Sequence, residues 1–194
     1  MKKIKFNLKK EYKKSFKYLR ESKKFIYSIV GIFFLFALIG FLFPVPDILY
    51  NEILKFIEEI LEKTKNLSTS ELILFIILNN AKSSFLGVFF GFIYGLFPLI
   101  ITLVNGYILG VVSQMSVGQG GFVVLWQLLP HGIFELPAIF ISLGLGLKFG
   151  TFIFQKDKSK SFKNYLINSL KVFFLIVLPL LIVAGIIEGI LINL

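Results

Sequence analysis

The chain has 194 residues, of which 56% are apolar and only 16% charged, with a net charge of +10 and a mean hydropathy of +0.84. A water-soluble domain carries about a quarter charged residues, so this composition excludes an ordinary soluble enzyme and a disordered tail. The chain has no cysteine, which excludes a disulfide-stabilised scaffold. The class that is left is an all-α integral membrane protein with several transmembrane helices.

Residues 1–24 form a basic amphipathic segment with eleven Lys and Arg residues against Glu11 and Glu21. One helical face of it is apolar and contains Leu8, Tyr12, Phe16 and Leu19. The positive-inside rule places the segment in the cytoplasm, and its pattern favours a helix lying on an anionic leaflet, with a solvated tail as the alternative. Since the lysines adjoin apolar spans, we expect the lipid bilayer as a partner and no nucleic acid.

The first apolar run, residues 25–43, is long enough to cross a bilayer. Pro44 and Pro46 then end the helix, because proline cannot donate the next backbone hydrogen bond. An amphipathic helix is predicted over residues 47–64. Acids outnumber lysines between residues 44 and 71, so this loop is expected outside the cell.

Further apolar runs predict four more spans, at about residues 85–104, 106–129, 133–154 and 172–193. Residues 148–171 hold six lysines against one aspartate, which places them in the cytoplasm. The expected layout is therefore about five spans in the cell membrane, with a cytoplasmic N-terminus and an outer C-terminus. Residues 25–194 would form a single helical membrane domain.

The middle span, residues 106–129, is predicted to be broken or re-entrant. Asn105-Gly106 is typical of a tight turn before it. The glycines between Gly118 and Gly121 would then unwind the helix, because glycine loses the most entropy on becoming helical. Irregular backbone at membrane depth has to be covered by protein or line a water-filled cavity, so this region is a candidate functional site.

The most informative stretch contains Pro130, His131, Gly132 and Glu135. Proline suits the first position of a helix, and His131 and Glu135 are then four residues apart on one helix face. An ionisable residue at membrane depth is functional by default; the alternatives are a structural pair that locks helices together and a proton or solute pathway. The other polar residues expected in the interior include Asn79, Asn80 and Asn105.

Metal or intramembrane peptidase chemistry is the third and least expected role of the motif. A catalytic zinc site usually has three protein ligands, and His131 with Glu135 supplies two; Glu188 could be a third only if the last span packs alongside. We therefore expect no catalytic residue, no bound metal and no cofactor.

Small residues recur every four positions at Gly87, Gly91 and Gly95, and again at Gly106 and Gly110. Such rows let the backbones of two membrane helices approach closely. The rows favour packing within the chain, with a homo-oligomer as the alternative.

The stretch from Leu129 to Ile141 resembles the stage II sporulation protein M family, together with Asn79-Asn80, the glycine-rich second span and the segment from Asn105 to Gly110. The likeness covers most of residues 72–154. In spore-forming bacteria the namesake is a multipass membrane component of a complex that remodels peptidoglycan and works with partner hydrolases. The resemblance implies membrane location, five spans, His131 with Glu135 as the central motif, and a non-enzymatic role.

Two functions are therefore expected. The first is a non-enzymatic scaffold or assembly component that binds other membrane proteins. The alternative is a small solute or ion transporter or channel that uses the broken central helix with His131 and Glu135, because discontinuous helices are a common device of transporters.

Overall fold

The computed structural model of the protein describes residues 7–121 and 125–192, apart from the side chains of residues 119 and 125–134. Within that part of the chain the secondary structure consists of helices, with no strand. The α-helices are α1 (Leu8–Glu21), α2 (Lys23–Leu42), α3 (Asp47–Thr64), α4 (Thr69–Phe89), α5 (Leu96–Gly120), α6 (Leu125–Gly150), α7 (Lys158–Val172) and α8 (Leu178–Leu191).

Five helical segments of the described chain are long and apolar enough to cross a membrane. They are α2, α4, α5, α6 and the continuous rod formed by α7 and α8. The predicted all-α fold with about five spans is therefore confirmed. Helix α3 occupies the segment for which the sequence predicts an amphipathic helix.

The predicted limits of the second and third spans were wrong. The second span is α4, which begins at a capping box made by Ser68 and Glu71, whereas the sequence places its start near residue 85. Hydropathy misses its first half because Asn79, Asn80 and Lys82 interrupt the apolar run. In the structure α4 continues through these residues, and their side chains are half-buried or exposed.

The chain reverses between α4 and α5, where the sequence predicted uninterrupted helix. A short 3-10 turn, Phe90–Phe92, precedes Tyr94 and Gly95, and both of these have positive φ. Glycine adopts this conformation without penalty. Asn105-Gly106 instead lies inside α5, so the predicted turn there was wrong. The predicted break at Gly118–Gly121 is the end of α5, capped by Gly121 with φ +72°.

The last two helices also begin earlier than the sequence predicts, although the membrane-length part of α6 is Glu135–Phe154. Helix α6 starts at Leu125, so Pro130 lies inside its second turn and not at its first position. The last span starts at Lys158 and widens into a π-helical segment, Phe173–Val177, before Pro179. Because Pro179 has no N–H to donate, local widening lets the helix continue through it.

The bundle has two ends, named here by the helices that lie there. At the α1 end, Gly150 packs on the turn at Gly95. At the α3 end lie the start of α4 and the C-terminus of α8. Helix α6 is the most buried span and packs on α2, α4, α5 and α8, whereas α3 packs only sparsely on the rest.

Helix α1 is docked on α7 and is not a free tail. Glu11 accepts a hydrogen bond from Lys171 of α7 and lies 2.9 Å from Lys14. The hydrogen bonds from these two ammonium groups lower the pKa of Glu11 to about 2. Further along, the Tyr18 hydroxyl lies 3.4 Å from the Ser169 hydroxyl.

Lys148 of α6 is buried beneath α1, although the sequence predicted it at the start of a cytoplasmic loop. Its ammonium donates to the Ser22 hydroxyl at 3.0 Å and lies 3.8 Å from the centre of the Tyr18 ring. The Tyr165 ring lies on a further side, at 5.7 Å. We call Tyr18, Ser22, Lys148 and Tyr165 the lysine node; it joins α1 and α7 to the central helix.

Replacing Glu11 with Gln should loosen α1 from α7 at neutral pH, since the ionised acceptor for Lys171 is lost. In the native protein the same loosening should need acid. The pKa of this carboxyl falls from 4.5 to about 2 on docking. Its ionised form therefore stabilises the docked helix fully above pH 4.5, and this stabilisation is lost as the pH falls towards 2. Spin labels on cysteines introduced at exposed Lys13 and Lys163 would report the distance between the helices.

We expect a narrow distance distribution for the native protein at pH 7 and a broad one for Glu11→Gln. The matched control is Glu21→Gln, because Glu21 pairs with Lys17 inside α1 at 4.0 Å and not with α7. An equally narrow distribution for Glu11→Gln at pH 7 would contradict the role of this ion pair.

Candidate functional site

A cavity of about 1020 Å³ lies at the α3 end of the bundle. Its floor is formed by side chains of α4, α6 and α8, and the second half of α3 covers it. The lining residues are Phe56, Glu58, Ile60, Leu61, Glu62, Lys63, Thr64, Lys65, Leu67, Leu72, Phe75, Ile76, Asn79, Asn80, Glu135, Glu188 and Ile192. We call it the carboxylate cavity.

Two carboxyl groups from different helices meet in this cavity. Glu135 of α6 and Glu188 of α8 both line it and are close enough for their charges to interact. The Oε2 atom of Glu188 is buried and has no hydrogen-bond partner among the described residues. Glu135 lies ten residues into α6, about 15 Å along its axis, and is the first residue of its membrane-length part. Glu188 lies three residues before the end of α8.

Two glycines of α8 bring Glu188 into the cavity. A Cβ atom on Gly185 would overlap Ile77, and one on Gly189 would overlap Ile73, both on α4. Without side chains at these positions, α8 lies directly on α4, and Glu188 points beside the contact towards α6. The last span therefore packs alongside α6, and Glu188 lies beside Glu135. The signal in the sequence was its place within the Gly185-x-x-x-Gly189 row.

The predicted asparagines separate into two groups. Asn79 and Asn80 of α4 line the carboxylate cavity, Asn80 being half-buried and Asn79 more exposed. Asn105 is exposed on α5 and does not line the cavity. Its prediction as an interior residue was wrong, because Gly106, its neighbour, is the residue that faces α2.

The remaining residues of the predicted motif are only partly described. The backbones of Pro130, His131 and Gly132 belong to α6, and their side chains lie outside the described part of the structure. The predicted pairing of His131 with Glu135 therefore stays a prediction. Among the described residues, no group of three His, Asp or Glu side chains is placed to hold a metal ion.

Charged residues of α3 surround the mouth of the cavity. Lys63 and Lys65 line it together with Glu58 and Glu62, and Lys63 also lies 3.6 Å from Glu59. The rim is thus of mixed charge, whereas both ionisable groups of the floor are acids. A cationic group at the floor would meet two carboxyls, which is the arrangement that compensates a buried positive charge.

Towards the α1 end, the same helices pack without space between them. A Cβ atom on Gly91 would overlap the backbone of Gly146, and one on Gly87 would overlap the side chain of Leu143. Gly106 and Gly110 of α5 lie in the same way on the backbone of α2, at Phe33 and Ala37. The glycine rows therefore serve packing within this chain.

The chain was compared with known proteins. The family model described as stage II sporulation protein M matches residues 29–191. An uncharacterized protein of Methanocaldococcus jannaschii is 33% identical over 178 residues, which cover 85% of this chain and 76% of that protein. No solved structure matches the chain. The extent of the family match, on a helical bundle with five membrane-length segments, shows that this chain is a membrane protein of the stage II sporulation protein M family.

Proposed function

We propose that the protein is a non-enzymatic assembly component of a cell-membrane complex, and that the carboxylate cavity holds a basic side chain of a partner membrane protein. The N-terminus is cytoplasmic in this proposal, so the cavity faces the outside. The single observation that carries it is the meeting of Glu135 and Glu188 on the cavity floor. Two carboxylates side by side repel each other, and a partner cation between them removes that repulsion.

The shape of the bundle supports a binding site on one face. The cavity opens at the α3 end, whereas direct contacts such as Gly91 on Gly146 fill the space between the helices nearer the α1 end. Helix α3 packs sparsely on the bundle and exposes large apolar side chains, including Ile48, Phe56 and Leu61. An exposed apolar face beside a polar cavity is typical of a surface that binds another protein.

The alternative is a carrier of protons or small cations. The observation that favours it is the buried Oε2 atom of Glu188, which has no hydrogen-bond partner in the described structure. A buried acid at membrane depth commonly belongs to an ion or proton pathway. In this alternative the carboxyl pair would bind the transported cation and α3 would open to release it.

Photo-crosslinking in native membranes tests the assembly role. A benzophenone side chain would replace Phe56, which lines the cavity and is about half exposed, or Phe34, which is similarly exposed on α2 away from the cavity. We expect a discrete protein adduct from position 56 and none from position 34. In the Glu135→Gln/Glu188→Gln background that adduct should fall at least about a hundredfold, since each of the two lost charge-assisted contacts contributes about 1.5–3 kcal/mol.

The matched control is Glu52→Gln, which removes one acid of α3 that pairs with Lys55 and does not line the cavity. It should leave the adduct unchanged. Equal adducts in all backgrounds would contradict a role for the carboxyl pair. Proton or potassium flux into liposomes that the double variant abolishes, without any adduct at position 56, would replace the assembly role with the carrier.

A further inference from the structure

A second, smaller cavity of about 380 Å³ lies at the α1 end, where α1, α2 and α6 meet. Its rim carries two exposed cations, Arg20 of α1 and Lys23 of α2. Its wall is apolar and includes Ile26 and Tyr27 of α2 and Ile141 of α6. No acidic residue of the described chain lines it, so the positive charge of the rim is not neutralised there. We call it the α1 groove.

The α1 groove runs from the charged end of the bundle into its apolar zone. Lys148 of α6 donates to Ser22, which lies between the rim residues Arg20 and Lys23. This part of α6 is therefore at the same depth in the bundle as the rim. Ile141 is seven residues earlier in the same helix, which places it about 10 Å deeper along the bundle. The cations are therefore at headgroup level and the apolar wall is at the level of the first part of a lipid chain.

The groove is open to lipid and is held in shape by its surroundings. Tyr27 is 69% exposed, and Phe16, at the outer edge of the groove, is 56% exposed. Helix α1, which supplies Arg20, is fastened by the Tyr18–Ser169 contact and by the lysine node. The rim is therefore built on docked helices and not on a mobile tail.

We propose that the α1 groove binds one molecule of an anionic phospholipid. The guanidinium of Arg20 would bind the phosphate with its paired N–H groups, and Lys23 would add a second charge-assisted contact. One lipid chain would lie against Tyr27 and Ile141. Arg20 is the only arginine in the chain, and its planar donor fork fits a phosphate better than an ammonium does. A zwitterionic lipid would bind less well, because its own choline competes for the phosphate.

Native mass spectrometry of the full chain, released from nanodiscs of phosphatidylglycerol and phosphatidylcholine, tests this proposal. We expect one phosphatidylglycerol to stay bound in preference to phosphatidylcholine. Arg20→Gln/Lys23→Gln should lower its retention roughly ten- to thirtyfold, because each basic residue near an anionic headgroup strengthens binding by about fivefold. Lys9→Gln/Lys13→Gln removes the same charge from α1 outside the groove and should change retention less than about threefold.

A second variant separates a lipid site from a site for any phosphate. Ile141 is half-buried, and Ile141→Trp would fill the apolar wall and leave the cations in place, so lipid retention should fall. The control Ile182→Trp, at an exposed position on α8, should have no effect. Equal loss in the two charge variants would overturn the proposal. So would retention in Ile141→Trp together with displacement of the lipid by millimolar glycerol phosphate. Neither outcome bears on the carboxylate cavity, which lies at the other end of the bundle.

Discussion

Gly91→Ala should destabilise the protein by about 3 kcal/mol or more, which is at the upper end of the cost of overpacking a core. The added Cβ atom would overlap the carbonyl and Cα of Gly146. Backbone atoms cannot turn aside as a flexible side chain can, so the 3-10 turn at Phe90–Phe92 and α6 would have to separate. Thermal unfolding in detergent, followed by circular dichroism, should show a midpoint lower by roughly 6–12 °C.

Gly31→Ala is the matched control, because a Cβ atom there meets no atom within 4 Å. Alanine is the better helix former by about 1 kcal/mol, so this variant should be as stable as the native protein or slightly more stable. Equal midpoints for the two variants would mean that the close contact of the 3-10 turn with α6 does not limit stability.

Tyr18→Ala should cost about 3–5 kcal/mol, the usual range for truncating a buried aromatic side chain. Tyr18 is only 6% exposed, and its ring lies over the ammonium of Lys148. Removing the ring creates a cavity and leaves a buried positive charge with one partner fewer. Tyr27→Ala, at a position 69% exposed, should have little effect in the same thermal assay.

Lys148→Met should cost less than Tyr18→Ala, because it removes the buried charge itself and keeps most of the aliphatic chain. Tyr18→Leu/Lys148→Met should therefore be more stable than Tyr18→Leu alone. If adding Lys148→Met lowers the stability of the Tyr18→Leu protein further, the contact between the ring and the ammonium is not what makes Tyr18 important.

Hydropathy and lysine placement predicted the number of spans but not their limits. The hydropathy of a span is averaged over many residues, so a few polar residues do not change the number of spans. Five segments were expected and five are found among the described residues. The limits depend on single residues. Asn79 and Asn80 interrupt the apolar run in the sequence, yet α4 continues through them and they line a polar cavity. The sequence shows no strong turn pattern at Tyr94 and Gly95, where the chain turns. It does show one at Asn105-Gly106, which is helical.

Of the two carboxyl groups in the candidate site, the sequence predicted the position of Glu135 but not its meeting with Glu188. Glu135 stands out in the sequence as an acid inside an apolar helix, and it does line the cavity. Its neighbour Glu188 is more than 50 residues away along the chain. Their meeting depends on how α8 packs on α4 and α6. The Gly185-x-x-x-Gly189 row marks α8 for close packing, but it does not show which helix is the partner.

The docking of α1 has a consequence for how the protein is made. Glu11 and its partner Lys171 are separated by 160 residues, and Tyr18 and Ser169 by 151. At about 5–20 residues per second of synthesis, the ribosome would need roughly 8–30 s to deliver the second half of each pair. Throughout that interval α1 has no α7 on which to dock, so the α1 end of the bundle closes only after the last span has been synthesised.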